Sequence, residues 1–247
     1  MKKISILILI IFFAASCYTF ETQPKLDVFH KEIPIAGNTN IYFQNIHGSL
    51  EIFGWGKNKM IVNAAKYGTN SQRRQIDIDI DKQDNNITMN TLFPRFNDKS
   101  NFVNFELRIP EKITFKQIKI NKGNFISNQV YGELNVDIET GNIEVEDFSG
   151  RCRLSTQKGY ILARIYEIKK EDDFSFKTQK GDIYIYLPTK INATIEAETA
   201  EGKVKSEIIN KNKEKTSVQK WNQILGKGEA RIKIQSLEGN INIRKIF

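Results

Sequence analysis

Residues 123–159 read GNFISNQVYGELNVDIETGNIEVEDFSGRCRLSTQKG, and within them Gly123, Gly132, Gly141, Gly150 and Gly159 stand nine residues apart. After Gly159 the spacing lengthens to 22 residues at Gly181 and 21 at Gly202, and a fuller phrase emerges. Thr or Ser stands three places before each glycine and an aliphatic residue two places after it. The copies are Thr156-Gly159-Ile161, Thr178-Gly181-Ile183, Thr199-Gly202-Val204 and Ser236-Gly239-Ile241. Glycine tolerates positive φ at a tight corner, Thr or Ser can hydrogen-bond the bend, and the aliphatic residue begins the next inward face. The last gap is 37 residues, and a polar run from Asn210 to Gly226, read as free of strand, accounts for the excess.

Short strands joined by recurring corners stack as rungs of a solenoid or run as an antiparallel meander or sandwich. With repeats of about 20 residues and no crossover helices, the expectation is an all-β, repetitive β-solenoid or roll with glycine corners every ~18–22 residues. Gly141, Gly159, Gly181, Gly202 and Gly239 should then share one edge of the stack, with Ile143, Ile161, Ile183, Val204 and Ile241 aligned inside it.

Upstream the pattern is period two without the regular corners. Ile41 and Phe43, Leu50 and Ile52, Ile76, Ile78 and Ile80, Ile87 and Met89, and Phe105, Leu107 and Ile109 each alternate with polar residues. That marks half-buried strands. The β-repeat domain is placed at 29–247, less regular over 29–115 and regular over 116–247, with the insertion at 210–226.

The 247 residues are 27% charged and 40% hydrophobic, which fits a soluble body and excludes a polytopic membrane protein or a disordered chain. Two cysteines, two histidines and three methionines leave no room for a zinc cluster, an iron–sulfur site or a disulfide framework. No cofactor is expected.

Residues 1–16 read as a signal peptide. Lys2 and Lys3 give a basic start, Ile4 to Phe13 is nearly unbroken Ile, Leu and Phe, and Ala14, Ala15 and Ser16 follow. The apolar run is shorter than the ~20 residues that span a bilayer. Cys17 comes next, so the stretch looks like a bacterial lipobox with Cys17 as lipid acceptor and residues 17–28 as anchor and tether. Lipoboxes usually carry Leu where this chain has Ala14, so an ordinary signal peptidase cut near Ala15 or Ser16 is the alternative. The first reading places the protein at the outer membrane or cell surface, held to the membrane through Cys17. The second makes it periplasmic or secreted.

The segment Gly48 to Trp55 (GSLEIFGW), followed by Ile61 to Ala65, resembles the opening of a bacterial domain-of-unknown-function family of putative adhesins. Phe105 to Pro110 (FELRIP) is similar to its closing strand before the repeats, and the Gly-x-aliphatic-x-aliphatic rungs to its body. The resemblance runs from about Ile33 to Ile243. It implies a β-helix-like fold, export or lipid anchoring, and an adhesive or envelope-associated role. The family brings no catalytic residues to carry over.

Asp77, Asp79 and Asp81 occupy one face of the strand that buries Ile76, Ile78 and Ile80. Carboxylates two apart on a strand lie in a row rather than around a point, so a solvated face is expected rather than a calcium site. His30 and His47 lack neighbours at ligand spacing, and Cys152, in step with Leu154, reads as a buried thiol. A carbohydrate-active enzyme needs converging carboxylates. Glu139, Glu144, Glu146, Asp182, Glu196 and Glu198 are spread through the repeats with no copy singled out, so no catalytic residue and no small-molecule substrate are assigned.

Seven lysines between Lys203 and Lys227 face only Glu207 and Glu214, which concentrates the chain's mild basic excess in the insertion. Ser217 reads as a helix N-cap, Val218, Trp221 and Leu225 as one helical face and Gly226 as the stop. Such an amphipathic turn would cap the last apolar rung. Alternatively, Lys211, Lys213, Lys215, Lys220 and Trp221 form a candidate contact surface for anionic headgroups or envelope polymer. Export removes nucleic acid as a partner. The sequence therefore reads as a non-catalytic, adhesin-like binding or scaffold protein of the cell envelope, partnered with an unidentified envelope or host macromolecule. A carbohydrate-active enzyme or an envelope-sensing accessory protein is the alternative.

Overall fold

The computed structural model describes residues 27–35, 38–93, 101–208 and 219–246. Nineteen strands and one short helix make up the regular structure of these residues. The first part contains β1 (Asp27–Pro34), β2 (Asn40–His47), β3 (Leu50–Trp55), β4 (Lys59–Tyr67), α1 (Asn70–Gln75), β5 (Asp77–Gln83), β6 (Asn86–Leu92) and β7 (Phe102–Pro110). The repeats follow as β8 (Lys112–Lys122), β9 (Phe125–Asn128), β10 (Tyr131–Thr140), β11 (Ile143–Lys158), β12 (Ile161–Glu167), β13 (Asp173–Lys180) and β14 (Ile183–Leu187). The last strands are β15 (Ala193–Glu201), β16 (Val204–Ser206), β17 (Lys220–Leu225), β18 (Ala230–Glu238) and β19 (Ile241–Lys245). The helix forms where the period-two pattern lapses, and a capping box between Thr69 and Gln72 starts it.

Strand pairing divides into two ladders. One runs β5-β6-β2-β8-β10-β11-β13-β18-β15-β17. The other runs β1-β4-β7-β3-β9-β11-β12-β14-β19-β16. The 16-residue β11 belongs to both, its first part beside β9 and its second beside β10 and β13. Interior neighbours are parallel, which distinguishes a solenoid from an antiparallel sandwich. Antiparallel strands lie only toward the ends: β5, β17, and the β1-β4 pair on β7.

The nine-residue glycine spacing is half a rung, so alternate glycines serve opposite edges. A Cβ on Gly141 would meet the Gly123 carbonyl, one on Gly159 that of Gly141, and one on Gly181 that of Gly159, while Gly150 faces Gly132 in a second column. In the first column each rung's backbone passes where the next rung's side chain would stand. Inside it, register aligns Leu50, Phe125, Ile143, Ile161, Ile183, Ile241 and Val204, all fully or almost fully buried. The expected corner and core sets therefore share one edge and one interior column.

Their order is not that of the chain. The last rung, β18 and β19, slots between β13–β14 and β15–β16, so Gly239 stacks on Gly181 and Gly202 stacks on Gly239. The first rung, β2 and β3, likewise lies between β6–β7 and β8–β9.

Two expectations are corrected. The 210–226 run is not strand-free: β17 pairs antiparallel with β15, where a helix from Ser217 was expected. Ser217, Val218 and residues 209–216 lie outside the described residues. Trp221 and Leu225 share a face in either conformation, because a separation of four is even for a strand and one turn for a helix. The open edge of β15 selects the strand. The second correction is at the amino end, where β1 begins at Asp27, inside the expected 17–28 tether.

Candidate functional site

The corner column is built from two hydrogen-bond ladders. The hydroxyls of Thr156, Thr178, Thr199 and Ser236 donate to the carbonyls of Gly141 (2.9 Å), Gly159 (3.1 Å), Gly239 (2.7 Å) and Gly181 (3.1 Å). Each thus bonds the corner of a neighbouring rung rather than its own. Beside them, the residue after Gly48, Gly123, Gly141, Gly181 and Gly239 supplies an acceptor to the next rung. Ser49 Oγ accepts from Asn124 N–H, Asn124 Oδ1 from Asn142, Asn142 Oδ1 from Tyr160, Asp182 Oδ1 from Asn240 and Asn240 Oδ1 from Lys203. This second ladder was missed in the sequence, although Ser, Asn or Asp follows Gly48, Gly123, Gly141, Gly181 and Gly239.

With the corners and core committed to stacking, function is left to the outward residues. On the second ladder these are mostly paired. Arg164 Nε lies 2.8 Å from Glu146 Oε2 and its guanidinium covers the Tyr186 ring, while the Tyr160 hydroxyl donates to Glu144. That bond, with burial, pushes the Tyr160 phenol up to about 12. On the first ladder Lys116 pairs with Glu133 (2.6 Å) and Lys180 with Glu238 (2.8 Å).

An open groove of about 490 Å³ lies over β5, β6, β2 and β8. Register places Asp81, Thr88, Tyr42 and Gln117 in one row across the four strands, flanked by Asn90 and Gln44 on one side and Asn86 and Gln83 on the other. Asp81 Oδ2 accepts from Gln83 Nε2 at 2.8 Å and Asn86 from Asn40 at 3.0 Å. The side chains of Tyr42, Gln44, Thr88, Asn90 and Gln117 hydrogen-bond no other described side chain, and no lysine or arginine lines the groove. Sequence reading missed it because β2 and β6 are neighbours only in space, although the uncharged NITMN of β6 was a visible signal.

A second groove of about 340 Å³ near the other end gathers Glu171, Asp172, Asp173, Glu196, Glu229 and Arg231. Burial raises the Asp172 carboxyl, whose Oδ2 accepts from Lys169 N–H at 2.7 Å and so closes a turn. Among the described residues no three His, Cys, Asp or Glu converge on a point.

Of the residues singled out in the sequence, Lys211, Lys213, Lys215 and Cys17 lie outside the described residues. Lys220 is exposed, 3.9 Å from Glu198, whereas Trp221 packs against the core. Asp77, Asp79 and Asp81 line the exposed side of β5. His30 bonds Asn63 at the surface and His47 packs edge-on to Phe93. Cys152 is fully buried, and burial pushes its thiol far up.

Two-sided coiling by short parallel rungs is the architecture of a known family, and its signature matches residues 32–244. The chain belongs to the Toastrack DUF4097 family. A crystal structure of a putative cell adhesion protein from Clostridium sporogenes aligns with a TM-score of 0.54 at 18% identity, covering 91% of this chain and all of that one. A putative adhesin from Bacteroides fragilis aligns at 0.40 and 13%, covering 90% and 99% of the two chains. A putative lipid binding protein from Parabacteroides distasonis aligns at 0.42 and 10%, covering 90% and 97%. The first likeness shows a shared fold, and the other two, with TM-scores below 0.5, carry no argument. No protein of curated function matches the sequence significantly.

Proposed function

We propose that this Toastrack protein is an exported, lipid-anchored, non-catalytic binding or scaffold protein of the bacterial cell envelope, adhesin-like in its mode of action. The observation that carries this reading is the pair of broad outer faces, whose outward residues repeat at the strand spacing of ~4.8 Å and offer many equivalent weak contacts. A fold shared with a putative cell adhesion protein supports it. Cys17 provides the anchor, and the lysines at 211, 213, 215 and 220 provide a secondary contact for anionic headgroups or envelope polymer.

The test has two arms. Cells fed a radioactive fatty acid should label the wild type and not Cys17→Ser, and only the wild type should partition into detergent. Fluorescently tagged mature chain should be retained saturably on isolated envelopes. A wild type without label sinks the anchor, and no retention on envelopes sinks the binding role.

A carbohydrate-active enzyme is favoured only by the acidic groove, in which burial sets Asp172 apart from the other acids. Asp172 is already engaged there, closing a turn by accepting from Lys169 N–H. Polysaccharide cleavage lost in Asp172→Asn with the fold intact would reverse the ranking.

A further inference from the structure

Cross-strand pairs occupy part of the outer faces, as between Lys116 and Glu133 and between Arg164 and Glu146. The groove over β2, β5, β6 and β8 instead sets one aromatic ring among uncharged amide side chains. Five of its polar side chains hydrogen-bond no other described side chain although they stand in register with one another. Gln44, Asn90 and Gln117 each present a carbonyl acceptor and an amide donor, and Thr88 adds a hydroxyl of either polarity. Asp81, fixed by Gln83, is a charged acceptor. Tyr42, 37% exposed, lays an aromatic surface in the central row.

We propose that this groove binds a neutral oligosaccharide. A polyhydroxylated chain needs donors and acceptors interleaved at short intervals, which amides supply on a single side chain. Its ring hydroxyls donate to a carboxylate such as Asp81, and its C–H faces stack on an aromatic ring such as Tyr42. The row from Asp81 to Gln117 repeats at the strand spacing of ~4.8 Å, close to the length of one sugar unit in an extended glycan. The volume of about 490 Å³ lies within the range of small-ligand sites. Anionic ligands are disfavoured because the lining holds the Asp81 carboxylate, while Lys119, beside Gln44 in register, lies outside it. An added peptide strand is disfavoured because the groove lies across a paired sheet face, where backbone groups are already used.

The assignment rests on the binding reading above and gives it a ligand class. The probes are a printed array of neutral oligosaccharides with sulfated and uronic-acid glycans as counter-set, then calorimetry on the bound glycan. Wild type, Tyr42→Ala, the Gln44→Ala/Asn90→Ala double variant and Lys177→Ala on the exposed side of β13 are compared. All replaced side chains lie wholly or partly at the surface, and circular dichroism checks the fold. The expected result is retention on neutral glycans, about tenfold or greater weakening in the Tyr42 and double variants, and no change in Lys177→Ala. A blank neutral array, retention on acidic glycans alone, or undiminished binding by Tyr42→Ala overturns it. If the mature chain still holds isolated envelopes while any of these occurs, the binding role stands and the groove assignment falls. If envelopes are not held either, both fall.

Discussion

A methyl group added to Gly181 would stand 2.0 Å from the Gly159 carbonyl oxygen, at a φ of +146°. Neither the contact nor the angle suits an L side chain, and the obstacle is backbone that cannot swing aside. Gly181→Ala should therefore lower stability by at least ~1–3 kcal/mol in urea unfolding, from the conformational strain alone. An unchanged midpoint would mean that the rungs can separate there at little cost. Tyr160 is the second informative residue. Its hydroxyl donates to Glu144, and the folded phenol titrates near 12, above the ordinary value of 10.0. A raised folded value means that the native state holds the proton more tightly, so the stabilisation is complete below about pH 10 and fades as pH rises towards 12. Burial also raises the Tyr131 and Tyr184 phenols, so ultraviolet titration should show several late phenols, of which the one near 12 disappears in Tyr160→Phe. The variant should lose less stability than wild type over that window. Equal losses would show that the bond to Glu144 does not hold the proton.

Among the elements, β18 and β19 are the last pieces of chain to emerge but are not the end of the stack. They separate β13–β14 from β15–β16, and β15 otherwise pairs only with the edge strand β17. Truncation after Glu207 removes β17, β18 and β19 and leaves β15 with no ladder partner. Hydrogen exchange on the truncated chain should then show the β15 amides unprotected, with β8 to β12 amides still protected. Persistent protection of β15 would show that it docks directly on β13, closing the gap by one rung. The β17 segment itself shows why local reading failed. Its Trp221 and Leu225 spacing suits helix and strand alike, and the exposed Ile224 between them has no place in an amphipathic strand read alone. The choice belongs to the unsatisfied backbone of β15, which no window of sequence contains.

At the scale of the whole molecule, a solenoid's stability is a sum of rung and interface contributions, and long arrays can unfold in pieces. Here the first rung of the chain lies between later ones, the last lies between earlier ones, and a single buried cluster runs throughout the described residues. Such interleaving ties distant stretches of chain together. Calorimetry should give one transition with equal calorimetric and van't Hoff enthalpies, and two resolved transitions would show that the halves uncouple. The periodic glycines, the Thr and Ser before them and the alternating aliphatics were legible in the sequence because each rung repeats one local problem: turn the chain without a Cβ and face the next apolar residue inward. That sufficed for the solenoid, the shared corner edge and the aligned interior column. The rung order, the strand at 220–225 and the unpaired polar groove were decided by tertiary structure alone. Each depends on which backbone edge or outward side chain a distant segment meets, and hydrogen bonding across a ladder joins residues by position in space rather than by distance along the chain.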